Sequence, residues 1–196
     1  MSNFLSRITH SPVVLTQGEK EYIEDFVMGS NFPWYWQGCQ TLDNVPEVDK
    51  NFNFYNGPYL SHTLLTRAED PKLSHLDRPA NHFSRSYEIF AEIFHRFMIN
   101  NSLTYSKIYR ANLNLNWHNG ETHTKPHKDH TFPHNNFIMY LNTCERGHTI
   151  IWPDDFSSTA SIPCEQYTAV TFKELWHAHH YPPPGSKRVV FVVTYI

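Results

Sequence analysis

Hydrophobic positions recur with two different periods along this chain, and the change from one to the other divides it. Near the start, Tyr22, Ile23, Phe26 and Val27 fall at i, i+1, i+4 and i+5, which is helical spacing. Thr16 with Glu19 three residues later has the form of a capping box, and Gly29 is placed to end that helix. A second helix is predicted over 84–100, with Tyr87, Phe90, Ala91, Phe94, Phe97 and Met98 on one stripe. From Lys107 the period becomes two. IYRANLNLNW alternates Tyr109, Ala111, Leu113, Leu115 and Trp117 against Arg110, Asn112, Asn114 and Asn116. Asparagine is a poor strand former, so the amide face is expected to meet something polar rather than bulk core.

Further strands are predicted over 136–143, 148–152, 166–172 and 187–196. Turns are expected at Glu145-Arg146-Gly147, at Pro153-Asp154-Asp155 and at Pro182-Pro183-Pro184-Gly185. Residues 30–80, rich in Asn, Pro and aromatics, read as irregular with short strands. Helices lead and short strands follow, so the pattern predicts an α+β chain, mainly β, whose C-terminal half is an antiparallel barrel or sandwich. The length of 196 residues fits one domain. Within it, 1–106 would be a helical and irregular support region and 107–196 the strand core.

Composition narrows the function without naming it. A net charge of −3 gives no general drive toward nucleic-acid phosphates or anionic membranes. The start of the chain lacks the apolar run of a signal peptide, and nowhere are 18 consecutive residues apolar, so no membrane span is expected. Three cysteines (Cys39, Cys144, Cys164) with no CxxC pair argue against a disulfide framework and for a reducing, cytoplasmic location. Aromatics at 15% suit a tightly packed core, and Trp34, Tyr35, Trp36, His62 and His118 are candidates to frame a pocket.

The chemistry is concentrated in residues 123–134, HTKPHKDHTFPH, with four histidines and one aspartate. On an extended segment His127 and Asp129, two apart, point to the same side. One distant histidine would complete a facial set of two histidines and a carboxylate, which leaves positions open on a metal and suits Fe(II). His177, His179 and His180 are the candidates, and Arg188 opens the last strand eleven residues after His177. His118, His123, His130, His134 and His148 read as solvated or hydrogen-bonded loop side chains. Pro126 argues against a helical His123/His127 zinc pair.

These features in this order resemble the Fe(II)/2-oxoglutarate-dependent dioxygenases, nearest the prolyl-4-hydroxylase-like branch and its small phage and marine bacterial forms. They are His127-x-Asp129, then Tyr140-Leu141-Asn142, then Gly147 with Thr149, then a distal His followed by Arg188. Relatives often carry GGxT where this chain has Arg-Gly-His-Thr. The resemblance covers 107–196 and implies a double-stranded β-helix, a jelly-roll or cupin-like barrel, with the N-terminal helices packed on one sheet. It implies iron held by His127, Asp129 and His177. Arg188 and Tyr140 would hold the far carboxylate of 2-oxoglutarate, with Asn112 and Asn114 lining the co-substrate pocket. The reaction would consume dioxygen and 2-oxoglutarate, release succinate and carbon dioxide, and hydroxylate a small molecule or a protein side chain. Two other classes use the same histidines: a cupin-like zinc or nickel protein without oxygenase activity, and a metal-free module that senses pH.

Overall fold

The computed structural model describes residues 4–38, 54–55, 57–66 and 84–196. Cys39 and much of the irregular stretch at 30–80 lie outside these residues. The strands are β1 (Ile8–Pro12), β2 (Tyr35–Gln37), β3 (Phe54–Tyr55), β4 (Tyr59–Leu65), β5 (Ile108–Trp117), β6 (His123–Thr124), β7 (Asn135–Tyr140), β8 (Cys144–Trp152), β9 (Ala160–Cys164), β10 (Thr168–Lys173), β11 (Trp176–His179) and β12 (Lys187–Tyr195). The helices are α1 (Gln17–Glu21), which continues as a π-helical segment over Tyr22–Val27, and α2 (Tyr87–Asn100). A seven-stranded antiparallel sheet runs β1-β10-β7-β12-β5-β4-β2, and a smaller sheet runs β11-β8-β9.

The amphipathic period of β5 and the apolar run of β12 explain why two layers flank the large sheet. Leu113 and Leu115 of β5, with Val189, Phe191 and Val193 of β12, face α2 and join Phe90, Phe94 and Phe97 in one core. Alternate residues Val190 and Val192 turn the other way, toward Ile151 of β8, in a second core between the sheets. Strand β12 is therefore buried on both faces, which is why it reads as nearly unbroken hydrophobic sequence. Phe94 sits at the centre of the first core, fully buried, with Phe137, Tyr105 and Tyr195 around its ring at 4.9–5.2 Å between centroids. Truncating it leaves a void among rigid rings, so Phe94→Ala is expected to cost roughly 3–5 kcal/mol of unfolding free energy, read by urea denaturation.

The capping box forms: the Glu19 backbone N–H donates to Thr16 Oγ1 and the Thr16 N–H to Glu19 Oε2. Gly29 follows the helix for a reason other than positive φ, since a Cβ there would lie 2.3 Å from the Asp25 carbonyl oxygen. The turn expected at 145–147 is instead a register shift inside β8, between Cys144 and Thr149. The chain reverses earlier, around Leu141–Thr143, where Asn142 bonds the backbone of β12 twice: its Nδ2 donates to the Lys187 carbonyl and its Oδ1 accepts from the Val189 N–H. Strands β1 and β4 bring the N-terminal half into the large sheet, by pairing with β10 and β5. Their short polar–apolar mixtures carry little period of their own.

Candidate active site

The two sheets part at one end to leave a cavity. Its walls come from Asn112, Asn114 and Asn116 of β5, Val190 and Val192 of β12, and the facing strands β8 and β11. The amide face of β5 thus meets a polar cavity rather than core. Asn114 Oδ1 and the Asn112 amide are tied to Ser61 Oγ of β4, at 2.9 and 3.3 Å. Asn112 Oδ1 is buried with no partner.

At one side of the cavity, His127 and His177 sit opposite each other in a two-bond antiparallel bridge. Each backbone N–H donates to the other's carbonyl, at 2.9 and 3.0 Å. Residues paired this way project to the same side, and their rings lie 4.3 Å apart. Asp129, two residues on, closes the group: one ligand atom from each of the three lies within 4.8 Å of the others. The second-position oxygen of Asp129, Oδ2, is buried without a hydrogen-bond partner and stands 3.6 Å from His177 Nε2. The His127 Nδ1–H donates to the Lys125 carbonyl, which leaves Nε2 as the open nitrogen.

Only one of the three distal histidines joins this group. His179 shares the face of His177 and lines the cavity, outside the three-residue cluster. His180 turns to the other side, bridged to His123 and bonded through its backbone N–H to the His148 carbonyl. The alternation of a strand separates them: 177 and 179 point in, 180 points out.

Arg188 lines the same cavity and is 3% exposed. Its Nε donates to the Gly147 carbonyl at 2.8 Å and its Nη2 to Thr149 Oγ1 at 3.0 Å. No carboxylate pairs with it among the described residues. Gly147 is needed for this approach, since a Cβ there would lie 3.1 Å from Arg188 Cδ. Tyr140 lies behind the arginine rather than on the cavity wall. Its ring is 5.6 Å from the guanidinium carbon, and its hydroxyl donates to Thr149 Oγ1 at 2.7 Å. Burial pushes its pKa up to about 12, so it stays a donor. Thr149 accepts from both Tyr140 and Arg188. Both lone pairs are then used, and its own O–H must donate elsewhere.

Two residues escaped the sequence reading. Arg110, at the end of the amide row, bonds Asp129 Oδ1 through Nη2 at 2.8 Å. Its place in the period-two pattern put it on the polar face, but nothing in one sequence names its partner 19 residues on. Thr149 stood in the Gly-x-Thr motif without a role. The aromatic group near residue 35 does not line the cavity. Trp34 packs on the core, Tyr35 and Trp36 are exposed, and Trp36 lies 5.8 Å from Trp117. His62 is structural, bonded to the Pro33 carbonyl and Ser84 Oγ, and His118 bonds the Pro182 carbonyl.

No family model matches this chain, and no curated protein matches it in sequence. Solved structures do. A 2OG-Fe(II) oxygenase-family oxidoreductase from Burkholderia pseudomallei aligns over 97% of this chain and 85% of its own, with TM-score 0.60 and 11% identity. A prolyl-4-hydroxylase from Pseudomonas putida aligns over 97% and 94%, with TM-score 0.54 and 12% identity. The epimerase SnoN of nogalamycin biosynthesis, solved with Fe3+, α-ketoglutarate and nogalamycin RO, aligns over 98% and 80%, with TM-score 0.56 and 13% identity. The fold is the one these oxygenases share, a jelly-roll with helices on the large sheet. No helix among the described residues is long and apolar enough to cross a membrane.

The site's electrostatics follow from burial and from one cation. Burial alone would raise the Asp129 pKa, but the Arg110 guanidinium and the surrounding histidines outweigh it and hold the carboxyl far below the usual range. Burial first, then His127, pushes His177 down to about 3, against the pull of Asp129. His134 and His179 are lowered too, by burial first. The unfolded chain binds protons at these histidines below about pH 6.5, while the folded chain refuses them. Stability is therefore complete above that pH and is lost as pH falls. Asp129 adds a loss of the same sign below about pH 3.9. The metal-free protein in chelator is expected to show a melting temperature that drops steadily from pH 7 to pH 4, with a shallower drop for His177→Gln. Differential scanning calorimetry across that range checks it.

Proposed function

We propose that this chain is an Fe(II)- and 2-oxoglutarate-dependent oxygenase, one domain over 1–196, that hydroxylates a small molecule or a protein side chain. What carries the reading is one cavity holding both halves of such a site. At one side stand two imidazoles and a carboxylate with an unpartnered buried oxygen; at the other stands a buried guanidinium with no carboxylate. The donor set fits the metal: neutral imidazole and carboxylate suit Fe(II), and three protein ligands leave room for a chelating oxo-acid and dioxygen. His127 through Nε2, Asp129 through Oδ2 and His177 would hold it. Bound there, iron supplies the redox chemistry that couples decarboxylation of 2-oxoglutarate to insertion of one oxygen atom into a substrate C–H bond; the other atom ends in succinate.

The chain's own residues position and shield. The Lys125 carbonyl fixes the His127 tautomer, and Arg110 takes one oxygen of Asp129 so that the carboxylate offers the other. Burial keeps His177 neutral, so it need not lose a proton to bind metal. Arg188 and the Thr149 hydroxyl are donors for the distal carboxylate of 2-oxoglutarate, and Tyr140 holds Thr149 in place. Asn112, with its open carbonyl, and Asn114 line the co-substrate side. Val190, Val192 and Ile138 form an apolar wall that limits water. The buried free thiols of Cys144 and Cys164 fit a reducing, cytoplasmic setting.

A cupin-like metal protein without oxygenase activity would have no use for an unpaired buried arginine facing the metal side. Anaerobic titration of the protein with Fe(II) and then 2-oxoglutarate separates the two. A weak visible charge-transfer band, followed by slow succinate release on admitting air, is expected. Folded protein that binds Fe(II) and gives no band with 2-oxoglutarate overturns the oxygenase reading.

A further inference from the structure

Among the described residues that line the cavity, His179 is the one histidine that the metal group does not use. It shares an inward face with His177, and it lies opposite Thr149 in the pairing of β11 with β8. Side chains of directly paired residues are near neighbours, and Thr149 is the residue that accepts the Arg188 guanidinium. Its backbone N–H donates to Thr124 Oγ1, which pins the strand there from the β6 side. Its ring leans on Tyr181, with centroids 5.5 Å apart. Its Nε2 lines the cavity buried and without a partner. A polar atom left bare in such a place costs free energy until something pairs with it.

We propose that His179 is a co-substrate-binding residue: its Nε2–H donates to the distal carboxylate of the 2-oxo dicarboxylate, as a third donor beside Arg188 and Thr149. This rests on the oxygenase reading above. The reason is chemical. A carboxylate carries about four lone-pair sites, and the Arg188 guanidinium already spends two of its donors on Gly147 and Thr149. An added imidazole donor completes the cradle at the end away from the metal. It also makes the site select for the second carboxylate, since a ligand lacking that group leaves three buried donors bare.

The test compares 2-oxoglutarate with pyruvate, which has the same metal-chelating end and no distal carboxylate. Dissociation constants are read from the anaerobic Fe(II) charge-transfer band and from calorimetry on the Mn(II) protein, for wild type, His179→Phe and His179→Gln. A hydrogen bond to a charged group of this kind corresponds to roughly 10- to 100-fold in affinity. His179→Phe is expected to weaken 2-oxoglutarate by about tenfold or more on that scale, leave pyruvate and Mn(II) binding unchanged, and be rescued in large part by His179→Gln, which keeps a donor. Equal affinity for 2-oxoglutarate in His179→Phe and wild type overturns the proposal. So does an equal loss for pyruvate, which would place His179 at the metal end. If wild type binds Mn(II) but neither acid, the oxygenase reading itself falls and takes this one with it.

Discussion

Asp129→Ala is expected to abolish Fe(II) binding at micromolar metal and to lower the melting temperature of the metal-free protein as well. The first effect follows from the donor set: without the carboxylate only two neutral imidazoles remain, and no anion offsets the metal's charge. The second follows from Arg110. Its guanidinium reaches into the cavity and pairs with Asp129 Oδ1, and the side chains are only 18% and 8% exposed. Removing one member of a buried pair leaves the other charge uncompensated, which typically costs about 3–5 kcal/mol, somewhat less here for the partial exposure of the arginine. The two effects separate by design. Asp129→Asn keeps an oxygen to accept from Arg110 but not the charge, so its melting temperature should fall between those of Asp129→Ala and wild type while metal binding is still lost. Arg110→Met combined with Asp129→Ala should be less destabilised than the sum of the single changes. Metal titration by calorimetry, with a denaturation series on the same proteins, reads both. An Asp129→Asn protein that binds Fe(II) as wild type does would remove Asp129 from the metal.

Arg188→Met carries the second large effect, with the opposite sign on stability. In the free protein the guanidinium is buried against Gly147 and Thr149 with no counter-ion. Such a charge is a burden on folding that a matching anion relieves, and replacing it by an apolar side chain of similar length is often neutral or stabilising. The expected outcome is an unchanged or higher melting temperature together with 2-oxoglutarate binding weakened on the order of 100-fold, the scale of truncating one partner of a buried charged pair. Thr149 remains partnered by Tyr140, so the strand should not loosen. Arg188→Lys should recover only part of the affinity, because an ammonium cannot hold Gly147, Thr149 and a carboxylate at once as the planar fork does. Loss of stability in Arg188→Met would mean that the arginine is a structural strut.

Both results turn on features of different legibility. The period of two in residues 108–117 announced a strand with one polar face, and the poor strand propensity of asparagine announced that this face would not meet core. Both hold, because the alternation of side chains along a strand is local geometry. The helical stripe Phe90–Phe94–Phe97 was equally legible, and so was the capping box at Thr16. Local spacing also put His127 and Asp129 on one side. Strands β1, β9 and β11 were not legible. They are short, and they hold together by pairing with distant segments more than by any pattern of their own. The run Glu145-Arg146-Gly147 looked like a turn because glycine there is ordinarily a loop signal. Its glycine is instead set by the passage of Arg188, 41 residues later in the chain.

The sequence by itself determined the two periods, the order of helices before strands, the His-x-Asp pair and a short list of distal histidines. Those are properties of residues close together in the chain, where bond geometry decides which side chains share a face. Only the tertiary structure decided that His177 rather than His180 meets that pair, that Arg110 holds Asp129, that Tyr140 stands behind Arg188, and that His179 is left with an open nitrogen. Each of these depends on the register between strands far apart in sequence. Register is settled by burying whole faces at once, and a slip of one residue would exchange every inward side chain for an outward one.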